Sequence, residues 1–246
     1  RQNGIDEGRA NCNENSGKRK ALAMPEGPTI VAHQKQIKKF EGKTVSESGG
    51  YRNPFADEIS GEKLMKVDTF GKYLILQFKK IFITVHFGLY GRYLINGTKK
   101  VNPSFTLHFG NDFINFYVVN LKKFDGKADD YFNRKLDVFS KEFTSDEVKK
   151  LLLEKLQKKK IGDALMNQDV FPGVGNVIRN EVLFLAKIHP ESIVEKIPSK
   201  KLDDLIFHIK EFSINSVELI ENKIWKSSSA VYRKEKYKNE TVEMYV

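Results

Sequence analysis

The apolar residues of this chain pass from strand to helical spacing near residue 143, and that change limits the folds open to it. Between Val67 and Val119 they fall in short runs at 73–78, 81–87, 92–95, 105–109 and 113–118, rich in β-branched and aromatic side chains. Lys79-Lys80, Asn96-Gly97 and Gly110-Asn111-Asp112 punctuate them. Strands this closely spaced predict a sandwich or barrel. After Phe143 the period becomes helical. Thr144-Ser145-Asp146-Glu147 predicts a capping box, with Thr144 as the cap and Glu147 reaching back, at the head of a helix through Leu156. Further helices are expected over 161–168, 176–187 and 199–220, the last carrying Leu202, Leu205, Ile209, Phe212 and Val217 along one side. A short helix is also expected after Pro28, where Ile30, His33, Ile37 and Phe40 share a face that stops before Gly42. The predicted fold class is α+β: an N-terminal β-sandwich flanked by helices, followed by an α-helical domain.

At 246 residues the chain can bury one or two cores. Its apolar runs stay well below the ~20 residues a membrane helix needs, so a soluble protein is expected. Lysine and arginine outnumber aspartate and glutamate by 42 to 32, a net charge of +10 that favours a polyanionic partner such as nucleic acid. The single cysteine, Cys12, excludes a disulfide framework or a cysteine-built zinc site within these residues. Residues 1–23 lack apolar patterning and read as a disordered tag, fusion remnant or read-through, with Met24 as the natural start. They hold five basic and three acidic residues, so the remainder keeps a charge of +8.

Two segments carry chemistry. In Asp169-Val170-Phe171-Pro172-Gly173-Val174-Gly175-Asn176, the glycines permit close backbone approach to a ligand. The helix that follows is expected to offer unpaired N–H groups and a positive dipole end to a phosphate, with the Asn176 amide as a further donor. Taken alone, an ordinary tight turn has the same pattern. In Met24-Pro25-Glu26-Gly27-Pro28, a proline whose nitrogen would be a secondary amine only at a chain start stands next to a carboxyl-bearing residue, although the same residues also make a rigid start to a helix.

The loop, with Gly162-Asp163-Ala164-Leu165-Met166-Asn167-Gln168 before it and Arg179-Asn180-Glu181-Val182-Leu183-Phe184 after it, resembles the helix-two-turn-helix of the formamidopyrimidine-DNA glycosylase and endonuclease VIII family. The PEGP segment is similar to that family's start after loss of the initiator methionine. The resemblance covers roughly Met24 to Tyr232. It implies that Pro25 is the nucleophile, attacking the sugar's anomeric carbon to give an iminium once the base departs, and that elimination from this Schiff base cuts the strand. Glu26 would be the acid that protonates the ring oxygen. Lys72, in Phe70-Gly71-Lys72-Tyr73, would contact phosphate beside the lesion and assist catalysis, where composition alone suggests a solvated strand-edge lysine. Gly173, Gly175 and Asn176 would hold the DNA backbone. Leu89 and Tyr90, in His86-Phe87-Gly88-Leu89-Tyr90-Gly91, would fill the gap left by the rotated base, where the competing expectation is sheet core.

The chain also departs from the family. The formamidopyrimidine branch carries an Asp-Pro-Arg-Arg-Phe-Gly segment that has no counterpart around Asn115 to Phe124, which together with Leu89-Tyr90 favours the endonuclease VIII branch and oxidised pyrimidines. Thr29 stands where both branches commonly have glutamate, which puts any role of that glutamate in doubt. Val231-Tyr232-Arg233-Lys234 resembles the lead-in to the family's four-cysteine zinc finger, yet no cysteine follows, so the finger is expected to be truncated or zinc-less. No cofactor is expected within the chain, and zinc only if a missing finger exists.

The expected organisation is an extension over 1–23, a catalytic sandwich over 24–143, a helix-two-turn-helix domain over 144–226 and a finger lead-in over 227–246. The expected partner is damaged double-stranded DNA with its abasic sites, bound by a monomer, with no membrane. The compartment would be the nucleoid of a bacterium or the nucleus of a eukaryote. Two rivals remain at this level: a catalytically silent DNA-binding member, and an RNA-binding protein built on the same helical module.

Overall fold

The structure, a computed structural model, describes residues 25–222 and Tyr245. The extension with Met24 and Cys12, and the finger lead-in from Val231, lie outside the described residues. In chain order the elements begin with α1 (Gly27–Ile37), β1 (Glu47–Gly49), α2 (Ala56–Ile59), β2 (Lys66–Phe70), β3 (Tyr73–Gln77), β4 (Ile81–His86) and β5 (Arg92–Ile95). Next come β6 (Phe105–Phe109), β7 (Asp112–Tyr117) and β8 (Asn120–Asp125), then α3 (Ser145–Leu156), α4 (Ile161–Ala164), α5 (Asn176–Ala186) and α6 (Ser199–Glu221).

The strands form two four-stranded antiparallel sheets, ordered β1-β6-β7-β5 and β2-β3-β4-β8. Among the described residues eight strands stand where five were expected. The three additions are edge strands, and edges bury too little to write an apolar pattern: β1 is three residues long, and β2 and β8 mix lysine and aspartate with their apolar positions. Central β3 and β4 are buried on both faces, which is why they read as continuous apolar runs. Their inner face joins Ile30 and Phe40 from the α1 region and Phe105 and Phe116 from the other sheet in one core. The outer face packs Ile75 and Phe82 beneath a 3-10 turn at Ala128–Asp130, with Phe124 and Phe132 alongside. At ~25 cal/mol per Å² of apolar area removed from water, these fully enclosed aromatic side chains are the main driving force for the sandwich.

A second core lies among the helices, where Leu152, Ile178, Val182, Leu205 and Ile209 meet. Leu136 and Val138, from the segment that follows the sheets, reach into it. The capping box expected at α3 does not form. Thr144 makes no side-chain cap, and its N–H donates to the Lys135 carbonyl at 3.0 Å, so the donor that Glu147 would have reached is already used. The helix expected over 161–168 stops at Ala164 because its remaining residues turn inward to tie the next loop. Asn167 Oδ1 accepts from the Asp169 N–H, and the Gln168 amide donates to the Met166 and Val174 carbonyls. No helix of the described residues is long and apolar enough to cross a membrane.

Candidate active site

Glu26 connects the two halves of the molecule. Its backbone carbonyl accepts from the Thr29 and Ile30 N–H groups and so starts α1, for which Pro28 supplies a preset φ in the first turn. Its side chain serves a different helix. Oε1 accepts from the Val177 N–H at 2.8 Å and Oε2 from the Ile178 N–H at 3.1 Å, at the N-terminus of α5. This corrects the expectation that α5 offers these groups to a phosphate: they are occupied by a carboxylate of the same chain, which the positive end of the helix favours for the same electrostatic reason. Asn176, the first residue of α5, is exposed.

Backbone packing makes the contact possible. The Gly27 N–H donates to the Gly173 carbonyl at 2.9 Å, and a Cβ on Gly173 would meet the Cα atoms of Gly27 and Gly71 at 3.2 and 3.4 Å. Gly173 also has φ +92°, a conformation that side chains rarely adopt. Three separate chain segments therefore touch through backbone alone: the start of α1, the β2–β3 turn and the loop before α5. Gln168, which sequence reasoning passed over, holds this loop from the other side, its Oε1 accepting from the Gly173 N–H. Its only sequence signal was a polar residue at the end of a helical run.

Lys72 follows Gly71 in the β2–β3 turn, near enough for its charge and that of Glu26 to act on one another. Burial pushes the Glu26 carboxyl above its ordinary range, against the opposing pull of the Val177, Ile178 and Gly175 amides and of Lys72. Burial likewise draws Lys72 down, with Glu26 holding it up. His86 is a further neighbour that sequence reasoning did not single out. It pairs with Tyr73 across β3 and β4, and burial, then the charges of Lys72 and Lys122, lower its pKa. Pro25 is half-buried immediately before Glu26. Leu89 and Tyr90 lie in the turn after β4, 49% and 57% exposed, so they are not sheet core. Pro25, Glu26, Lys72, Gly173 and Gly175 thus share one junction, while Leu89, Tyr90 and Asn176 present themselves to solvent. Among the described residues no group of three or more His, Cys, Asp or Glu side chains could hold a metal ion.

The arrangement is that of an acid held out of water beside an amine. Two family models match the chain: the formamidopyrimidine-DNA glycosylase N-terminal domain over residues 24–124 and the formamidopyrimidine-DNA glycosylase H2TH domain over 135–227. The chain belongs to the formamidopyrimidine-DNA glycosylase and endonuclease VIII family. Among its relatives, human Endonuclease 8-like 3 is 32% identical over 161 residues, which is 60% of this chain and 26% of the human protein. The formamidopyrimidine-DNA glycosylase of Lactobacillus helveticus is 28% identical over 218 residues, covering 80% of this chain and 78% of its own length. The chain spans 26%, 27% and 37% of the human, bovine and mouse Endonuclease 8-like 3 proteins. The fold is shared with the Lactococcus lactis formamidopyrimidine-DNA glycosylase bound non-covalently to AP-site-containing DNA, at a TM-score of 0.69 and 20% identity over 81% of this chain and 86% of that one.

One cysteine cannot build a four-cysteine zinc site within this chain.

A raised pKa in the folded state has a thermodynamic consequence. The folded chain holds the Glu26 proton more tightly than the unfolded one, so the contribution of Glu26 to stability is complete below its ordinary 4.5 and is lost as pH rises through the raised value. Glutamine does not titrate. The melting temperature of Glu26→Gln minus that of the parent is therefore expected to increase from pH 4.5 to about pH 8. A difference that stays flat across this range would mean that burial does not dominate at Glu26.

Proposed function

We propose that this chain, when it begins at Pro25, is a bifunctional DNA glycosylase and abasic-site lyase acting in base excision repair. The observation that carries the reading is Glu26, 2% exposed, pinned on the α5 N-terminus within reach of the Lys72 charge and one residue from Pro25. Desolvation makes such a carboxyl hold its proton more tightly than an exposed one, which favours its use as a proton donor to a sugar ring oxygen. The Pro25 nitrogen attacks the anomeric carbon, the base leaves, and the ring-opened sugar remains joined as an iminium. Loss of a neighbouring proton then expels the 3′ phosphate by β-elimination, with or without a second, δ-elimination of the 5′ phosphate, and water releases the proline.

Family membership supports glycosylase chemistry, and the AP-site-containing DNA bound by the Lactococcus lactis relative supports damaged duplex DNA as partner. We assign the chain to the endonuclease VIII branch, with oxidised pyrimidines as substrates. Leu89 and Tyr90 stand exposed as that branch's wedge would, and human, bovine and mouse Endonuclease 8-like 3 proteins are among the relatives of the chain. In this reading residues 24–143 carry the chemistry, residues 144–226 grip the DNA with the exposed Asn176 at the head of α5, Gly173 and Gly175 shape the loop that presents it, and a monomer works wherever the cell keeps its DNA.

The test is borohydride trapping on duplex DNA that carries an abasic site or dihydrothymine. The chain starting at Pro25 should form a covalent adduct. The chain that retains Met24 should not, because an amide nitrogen cannot attack. Absence of adduct from the Pro25-started chain, with a working control enzyme, would sink the proposal; tight abasic-DNA binding without adduct would indicate a silent binder, and preference for structured RNA the other rival.

A further inference from the structure

Asp137 is a buried carboxylate for which neither the fold nor the proposed reaction has yet given a reason. It is 2% exposed and ends a short 3-10 turn at Arg134–Leu136. Its Oδ2 accepts from the Gly71 N–H at 3.1 Å, and its Oδ1 from the Phe139 N–H at 3.0 Å. Gly71 immediately precedes Lys72. The same turn sends Arg134 to the same hairpin, where Nη1 donates to the Thr69 carbonyl at 2.7 Å and Nη2 to Asp68 Oδ2 at 2.9 Å. Phe139 brings its ring edge within 3.3 Å of where a Cβ on Gly27 would stand. Leu136 and Val138 alternate with these residues and point into the helical core.

Residues 134–139 thus form a strap with two faces. One is anchored apolar among the helices, and the other is polar, holding the β2–β3 turn and pressing the start of α1. A carboxylate suits the polar face because both of its oxygens accept; an amide would have to aim its NH2 at one of the two N–H groups. Leaving a carboxylate in such a place is unfavourable without these donors, and burial pushes Asp137 up while the Phe139 and Gly71 amides and Arg134 hold it back.

We propose that Asp137 is a positioning residue of the reaction: by accepting the Gly71 N–H it fixes the turn that aims Lys72 at the reacting sugar and phosphate, and it acts on the chemistry through Lys72. The inference rests on the glycosylase and lyase reading, and predicts that the effect of removing the Asp137 carboxylate depends on Lys72 being present.

The experiment is a double-mutant cycle on Pro25-started protein, measuring single-turnover cleavage of abasic duplex DNA, a reaction easy enough to remain measurable without Lys72. Asp137→Asn is expected to slow cleavage about tenfold or more in the Lys72 background, as small displacements of a catalytic group do, and by no more than about twofold in Lys72→Ala. Duplex affinity should stay within about threefold of the parent, so the loss falls on kcat and not on KM. Equal slowing in both backgrounds would assign Asp137 a general structural role and overturn the proposal, as would an unchanged rate in the Lys72 background. Asp137→Glu, which keeps two acceptor oxygens but moves them by one methylene, is run in the same cycle with the same expected pattern and decides the matter if the asparagine chain does not fold. Borohydride trapping of the parent separates the two levels. A parent without adduct overturns the functional reading and this inference together, whereas a trapping parent whose cycle shows no coupling overturns the inference alone.

Discussion

Glu26→Gln is expected to slow excision of dihydrothymine by roughly 10²–10⁴-fold, the usual contribution of a positioned general acid, while capture of a ready-made abasic site falls less than about tenfold. The asymmetry follows from what each substrate needs. An intact nucleoside has a closed sugar ring, and its opening requires a proton on the ring oxygen. An abasic site already equilibrates with its open aldehyde, which an amine attacks without that proton. Glutamine has the same shape as glutamate and can still accept one of the Val177 and Ile178 N–H groups, but it has no acidic proton to give. Single-turnover excision and borohydride capture, measured on the same preparation, read the two steps separately. Equal losses in both would show that Glu26 is a structural pin between the two halves and not the acid.

Gly175→Ala is expected to reproduce much of that defect from a position that carries no functional group. A Cβ on Gly175 would lie 2.5 Å from both Cδ and Oε1 of Glu26, closer than side-chain atoms pack. The backbone there is extended, with φ −127°, so alanine itself is tolerated and the whole cost is the collision. Glu26 must leave the α5 N-terminus, which abandons both N–H bonds and exposes the carboxyl to water. We expect about a 10²-fold loss of excision from misplacement of the acid. The lost hydrogen bonds and the regained hydration of the carboxyl oppose one another, so excision and not melting temperature is the readout that decides. If the lesion is the displaced acid, adding Glu26→Gln should bring little further slowing; additive losses would mean that Gly175 acts elsewhere, for instance directly on DNA.

Several parts of the site were legible because a local pattern carried them. Gly173 and Gly175 stood out as glycines before a helix, and both turn out to be required by contact, Gly173 with other backbone and Gly175 with Glu26. The change from strand runs to helical spacing near residue 143 anticipated the two cores. Other parts left no such trace. Asp137 is one acidic residue among the charges that follow β8, and only its burial distinguishes it. Gln168 and His86 are polar residues at the ends of ordinary elements, and their partners lie across turns or strands. The expected capping box failed for a related reason: Thr144 had a tertiary acceptor in the Lys135 carbonyl, which no four-residue pattern can foresee.

What the α5 N-terminus binds illustrates the division most directly. Glycines followed by a helix start specify, by themselves, unpaired N–H groups and a positive dipole end, and hence an affinity for some anion. They do not specify which anion. Pro25 and Glu26 were equally plain in the sequence, 150 residues away, as a proline beside an acid. Only the tertiary structure joined the two, because the packing of Gly27, Gly71 and Gly173 is a backbone contact among three distant segments. Short-range preferences and residue chemistry act within a few residues and are written locally. The burial that raises the Glu26 pKa arises from long-range packing, which exists only once both cores have formed.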